Sequence, residues 1–350
     1  MDKPYSASPA GQEPTAKLER EVLVRGWRSY GPRTPRCLPL IKFAARTDMG
    51  QVRENNEDKF DFYEPEEPAI LAQRGCLYAV ADGMGGALAG QIASELTLKR
   101  LLSAYYDHPA DDPRTAMREA ILEANNYIYA LAQAIPERNG MGSTLVAAVF
   151  IEDSVFIVQV GDSRAYLLRQ GQLRQVTVDH SWVEEQVRAG VLTREEAELS
   201  PFRNVITRSI GATPNVLPDF YEESVQEGDI WLLCSDGLTG HVEDSEIAAI
   251  IGSHAPSEAT RQLVELANAR GGRDNITVFV LSVRAVVPCE GESAEGKGVG
   301  LEGKGVGLEE IQRFYTSPPQ TSPESALGDE NLGGTQKPTA PFWRRFLLGS

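Results

Sequence analysis

Cysteine is scarce in this chain, and the few present stand far apart: Cys37, Cys76, Cys234 and Cys289. None of the close pairs of a zinc site or a thioredoxin-like redox motif can be built from them, which points to a reduced, cytoplasmic chain. No Gly-x4-Gly-Lys-Ser/Thr loop occurs, and Gly83-x-Gly85-Gly86 lacks dinucleotide spacing, which argues against a nucleotide enzyme. Also missing are the apolar core of a signal peptide behind Met1-Asp2-Lys3-Pro4 and any run of the ~18 apolar residues a membrane helix requires. Together these absences predict a soluble protein with no stable membrane insertion. Positive charge is in deficit as well: the formal net charge is −16, so nucleic acid and anionic lipid are disfavoured partners.

What is present is enough for one large core. The chain has 350 residues, of which 41% are hydrophobic and 24% charged. Residues 1–40 read as a flexible, locally basic extension, residues 41–286 as one globular domain, and residues 287–350 as a low-complexity tail. The tail holds a tandem Glu-Gly-Lys-Gly-Val-Gly-Leu repeat at 295–308 and ends in the apolar-basic stretch Phe342–Leu348, too short to span a membrane.

Within 41–286, apolar runs at Cys76–Ala81, Thr144–Ile151, Val155–Val160, Ile230–Cys234 and Ile276–Val283 end at Asp or Gly and suit strands. Short connections at Glu152-Asp153-Ser154 and Gln170-Gly171 read as hairpin turns. Helical spacing recurs over 87–105, 113–134 and 256–270. Hairpin-linked strands with helices grouped between them predict an α+β layered domain, not a doubly wound parallel sheet.

The chemistry lies where strands end. Asp82-Gly83 follows one strand, Asp236-Gly237 another, Gly161-Asp162 a third, and Asp274 stands just before a fourth. A single Asp-Gly pair is usually only a turn. Four carboxylates at the rims of buried strands would, if those rims converge, repel one another and take up protons or cations. Oxygen donors suit Mg²⁺ or Mn²⁺ rather than zinc. The segment Arg53–Asp58 adds further carboxylates beside a guanidinium able to grip phosphate oxygens.

Six motifs in order carry a resemblance. They are Arg53-x-x-Asn56-Glu57-Asp58, Ala81-Asp82-Gly83-Met84-Gly85-Gly86, Gly142-Ser143-Thr144, Gly161-Asp162-Ser163-Arg164, Ser235-Asp236-Gly237 and Arg273-Asp274-Asn275-Ile276-Thr277. The series resembles that of the bacterial protein phosphatase 2C (PPM) family across roughly residues 41–286. The resemblance implies a four-layer α-β-β-α sandwich, two antiparallel sheets flanked by helix pairs. It implies metal-dependent hydrolysis of phosphoserine and phosphothreonine in proteins, opposing bacterial Ser/Thr kinases. Attack would come from a hydroxide bridging two Mn²⁺ or Mg²⁺ ions, without a covalent intermediate.

Carried over residue by residue, Asp82 bridges the metals and the Gly83 carbonyl binds one. Asp236 and Asp274 ligate the same ion, while Glu57 and Asp58 act on the other, partly through water. Asp162 serves a third ion. Arg53 holds the substrate phosphate, making Arg53, Asp82 and Asp236 the expected catalytic residues.

The stretch from Asp179-His180-Ser181 to Gly211 resembles a substrate-selecting flap, with His180 a candidate substrate contact. Met84 stands where animal members carry a proposed acidic histidine, so the proton donor is open between metal-bound water and His180. Expected partners are phosphoproteins, among them a Ser/Thr kinase or its substrates, met by a monomer. The alternative is a catalytically dead adaptor, against which the retention of Asp58, Asp82, Asp236 and Asp274 argues.

Overall fold

The computed structural model describes residues 33–289. Strand β1 (Cys37–Asp48) opens the fold, followed by β2 (Lys59–Tyr63), helix α1 (Pro68–Arg74), β3 (Cys76–Ala81) and the short β4 (Gly83–Met84). Two long helices come next, α2 (Ala87–Asp107) and α3 (Pro113–Ala134), then β5 (Gly142–Ser143), β6 (Leu145–Ile151), β7 (Ser154–Val160), β8 (Arg164–Arg169) and β9 (Gln172–Gln175). Short helices α4 (Trp182–Arg188) and α5 (Arg194–Leu199) precede β10 (Asp219–Ser224) and β11 (Ile230–Cys234). The last elements are α6 (Asp236–Thr239), α7 (Asp244–Ser253), α8 (Pro256–Ala269) and β12 (Ile276–Pro288).

One five-stranded sheet runs β1-β12-β11-β8-β9 and another β10-β7-β6-β3-β2, with β4-β5 as a separate pair. Every pairing is antiparallel. The sheets face each other because their strands alternate. Along β11, Trp231 and Leu233 enter a core shared with Tyr78, Val80, Phe150 and Phe279 of neighbouring strands in both sheets. Ile230, Leu232 and Cys234 point the other way, against Ile247 and Ile251 of α7 and Leu263 and Ala267 of α8. Helices α2 and α3 pack on each other, with α2 against β2 and β3 of the second sheet. The arrangement is α+β, and the packing is compatible with the expected four layers.

The hairpin turns fall where the sequence put them: Glu152 (φ 54°), Gln170 (φ 52°) and Gly171 (φ 76°) all take left-handed backbone. Helix α3 spans the predicted residues, started by the Asp112 side chain, which accepts from the Thr115 N–H, and by Pro113. The β1–β12 ladder runs a few residues past the expected 41–286 on both sides, Cys37 pairing with Pro288, because backbone pairing supplies order where composition alone reads as tail. Residues 1–32 of the expected extension and 290–350 of the expected tail lie outside the described residues.

Arg74 is fully buried, and its guanidinium donates to the carbonyls of Tyr105 (3.2 Å), His108 (2.7 Å) and Ala110 (2.5 Å). Those carbonyls are at the unsatisfied C-terminal end of α2, so the arginine caps that helix from inside the core. It thereby anchors the end of α2 remote from the residues described next.

Candidate active site

The antiparallel order brings six chain segments to one rim. The ends of β1, β3, β7 and β11 and the starts of β2 and β12 lie there together, as strand directions alternate. Asp82 follows β3, Asp162 follows β7, Asp236 follows β11, Asp274 precedes β12 and Asp58 precedes β2. A hydrogen bond across the sandwich ties the halves: Ser235 Oγ donates to Asp58 Oδ2 at 2.6 Å and accepts from Thr277 N–H at 3.0 Å. Asp82 is clamped through its backbone, its N–H donating to Thr144 Oγ1 (2.9 Å) and its carbonyl accepting from Thr144 N–H (2.8 Å).

These carboxylates share one electrostatic field. Loss of hydration pushes the Asp58 carboxyl up to about 7, with Asp236 and Asp274 adding repulsion while the Ser235 and Thr277 hydroxyls pull it back. Asp236 rises to about 6 through burial and then the charge of Asp274. Asp82 is raised well above the usual range by burial and by Asp58, Asp236, Asp162 and Asp274 together. Asp162 is raised too, by burial and then Asp236 and Asp179. Buried oxygens of Asp58, Asp162 and Asp236 (Oδ1 in each) have no hydrogen-bond partner. Leaving carboxylate oxygens buried and unsatisfied costs several kcal/mol unless a proton or cation meets them. That donor set, all oxygen, fits hard divalent ions.

Among the described residues, no three His, Cys, Asp or Glu side chains are already spaced as a closed metal cage. An ion held here would complete its shell with water, as Mg²⁺ commonly does.

Two glycines shape the rim. A Cβ on Gly83 would collide with the Gly90 carbonyl and approach the Glu57 carbonyl to 2.9 Å. A Cβ on Gly90, in the first turn of α2, would strike the Glu57 carboxylate and lie 2.8 Å from the Gly83 carbonyl. The helix thus comes close enough to seat both groups. Gly90 was not singled out in the sequence, although a glycine inside a helical pattern is a recognised sign of close approach. Asn275 and Ser235 were likewise passed over as parts of motifs.

Arg53 is present at the rim, but its Nη2 donates to Asp274 Oδ2 at 2.7 Å. Both partners are substantially exposed, so the pair is worth about 0–1 kcal/mol and is readily exchanged for another anion.

His180 is different. It is 4% exposed, its Nδ1 accepts from Gly161 N–H (3.1 Å) and its Nε2 meets Asp219 Oδ2 (3.1 Å). Burial lowers its pKa. Both ring nitrogens are spent on holding the loop after β7 to β10, so the expectation of a substrate contact or proton donor at His180 is not carried forward. The segment expected as a flap contains α4 and α5, and isolated bridges pair Ser181 with Ile206 and Ser143 with Ile210. It presents exposed Leu199, Phe202 and Val205.

Five carboxylates on one rim of an α+β sandwich make an all-oxygen donor set of the kind that hard cations take. Residues 51–279 match the protein phosphatase 2C family. The chain is 39% identical over 243 residues to the serine/threonine phosphatase stp of Listeria monocytogenes serovar 1/2a, covering 67% of this chain and 93% of that one. It is 40% identical over 247 residues to protein phosphatase PhpP of Streptococcus pneumoniae, covering 69% and 98%. The solved catalytic domain of the serine threonine protein phosphatase PstP, in complex with two manganese ions, superposes with a TM-score of 0.61 at 37% identity, covering 71% of this chain and 100% of that one. The chain belongs to the protein phosphatase 2C family.

Proposed function

We propose that this protein is a metal-dependent serine/threonine phosphatase that hydrolyses phosphoserine and phosphothreonine in proteins at the acidic rim. The observation that carries the reading is the gathering of Asp58, Asp82, Asp162, Asp236 and Asp274 in one field, with buried carboxylate oxygens left without partners. Asp82, the Gly83 carbonyl, Asp236 and Asp274 would hold a pair of Mn²⁺ or Mg²⁺ ions with Glu57 and Asp58, and Asp162 would serve a third. When bound, such a pair supplies an activated water at neutral pH and neutralises charge on the phosphoryl group.

The chain's own side chains do the rest. Arg53, released from Asp274, offers two parallel donors to the phosphoryl oxygens and keeps phosphorus in line with the attacking water. Ser235 keeps Asp58 oriented. A cysteine nucleophile has no support here: burial pushes all four thiols up, Cys234 to about 12, so none is a thiolate at neutral pH. A phosphocysteine intermediate is thereby disfavoured, and the reading proposed is direct attack by water without a phosphoenzyme.

The relatives' names support phosphoprotein substrates, and a Ser/Thr kinase or its targets are the natural partners of a monomer working in the cytoplasm. Among the described residues no helix is long and apolar enough to cross a membrane.

The test is hydrolysis of p-nitrophenyl phosphate and of a phosphothreonine peptide with Mn²⁺ and with EDTA. Asp236→Asn should lower turnover by at least about a hundredfold with the circular-dichroism spectrum unchanged. Metal-independent turnover, or near wild-type turnover in that variant, would overturn the assignment. No turnover at all would favour a phosphoprotein-binding adaptor.

A further inference from the structure

The segment that carries Arg53, Glu57 and Asp58 has only turns and bends between Asp48 and Lys59. No strand ladder fixes it against Asp274; the backbone ties are Gln51 N–H to the Gly272 carbonyl (2.7 Å) and Gly83 N–H to the Glu57 carbonyl (3.2 Å), and side chains supply the others. Asn275 makes more of these bonds than any other one side chain among the described residues. The Glu57 N–H donates to its Oδ1 at 2.8 Å, and its Nδ2 donates to the carbonyls of Met49 and Asn55, each at 2.9 Å. Its own N–H donates to Asp274 Oδ1 at 2.8 Å. Its carbonyl lies against Gly237 so closely that a Cβ there could not be accommodated, one residue beyond Asp236.

We propose that Asn275 is a positioning residue that sets the loop bearing Arg53, Glu57 and Asp58 against Asp236 and Asp274, and through that placement governs divalent-cation affinity. This rests on the reading of the rim as a cation site. The amide is needed for a chemical reason: it accepts one N–H and donates to two carbonyls at once. Aspartate has nearly the same shape but only accepts, so it would face the Met49 and Asn55 carbonyls with lone pairs and add charge to an acidic rim. At 4% exposure there is no solvent to relieve that conflict.

The experiment compares the metal-free full-length protein with Asn275→Asp and Asn275→Ala. Hydrogen exchange, Mn²⁺ calorimetry and p-nitrophenyl phosphate turnover across a Mn²⁺ titration are measured. In the wild type without metal, the Glu57 amide should exchange at least about a hundredfold more slowly than an unprotected amide. Asn275→Asp should lose most of that protection and weaken Mn²⁺ binding about 10–100-fold, with turnover recovering as Mn²⁺ is raised. A residue with a merely structural role would lower the melting temperature while leaving Mn²⁺ affinity of the folded fraction unchanged. Mn²⁺ affinity within about twofold of wild type in a folded variant would overturn the proposal. An unprotected Glu57 amide in the wild type would overturn it as well, and that measurement stands even where neither variant folds. Failure of the phosphatase reading has another signature: wild-type protein that binds Mn²⁺ but cleaves no phosphomonoester.

Discussion

Gly90→Ala separates stability from site geometry, because the two effects of one methyl group have opposite signs. In the first turn of α2 the change removes a helix-interior glycine, a gain of about 1 kcal/mol. The new methyl would strike the Glu57 carboxylate and stand 2.8 Å from the Gly83 carbonyl, inside van der Waals contact. Overpacking costs about 1–3 kcal/mol in general, and the low end applies where the obstacle is a side-chain end that can swing aside. Glu57 can swing; the Gly83 carbonyl, being backbone, cannot move without carrying Asp82 with it. The net change in stability should then lie between about zero and about 2 kcal/mol of destabilisation, a modest shift in melting temperature. Displacing two of the oxygen donors should raise the Mn²⁺ concentration for half-maximal p-nitrophenyl phosphate hydrolysis about 10–100-fold. Thermal melts in EDTA and Mn²⁺ titrations of turnover read the two effects separately. A variant with wild-type Mn²⁺ dependence would refute the claim that the close approach of α2 seats Glu57 and Gly83 as cation donors.

Arg53→Ala should raise KM for a phosphothreonine peptide several-fold more than it lowers kcat, with the melting temperature unchanged, since its exposed pair with Asp274 contributes about 0–1 kcal/mol; an unaltered KM would remove its phosphate role. The metal-free protein should become less stable as pH rises from about 5 to 7. The unfolded chain gives up the protons of Asp58, Asp236, Glu64 and Asp61 near pH 4, whereas the folded state keeps them up to about 6–7. His180 and His241, whose pKa values burial lowers, pull the other way, but they are two groups against four. Urea midpoints of dialysed protein across this range, which Mn²⁺ should flatten, check the sign, and a midpoint that rises with pH contradicts it. Arg74→Met should cost about 3 kcal/mol or more by orphaning buried carbonyls at the end of α2; urea denaturation showing under about 1 kcal/mol would mean water replaces the guanidinium.

Much of the local structure was legible because short-range chemistry dictates it. Asp112-Pro113 starts α3, Gln170-Gly171 turns a hairpin, and the continuous apolar runs of β3 and β11 announce strands buried on both faces. Strand β1 escaped because its first residues look like tail until β12 arrives to pair with them, a partner some 250 residues away in the chain. Helices α4 and α5 escaped because they are short, with Glu-rich sequences and little buried surface to give a periodic signal.

At the site, the aspartates could be named from the sequence because each closes a strand with a recognisable turn. Their ranking by environment could not. Desolvation and mutual repulsion, which lift Asp58 and Asp236, depend on distances that exist only after two sheets stack. His180 is the converse case, a titratable residue beside a motif whose ring nitrogens the fold turns inward. The amino-acid order determined which carboxylates stand at strand ends, since backbone turns are local. Only the stacking of the sheets decided which of them share a field, which hydrogen-bond partners hold them and which neighbours are excluded, because electrostatics and packing act through space and not along the chain.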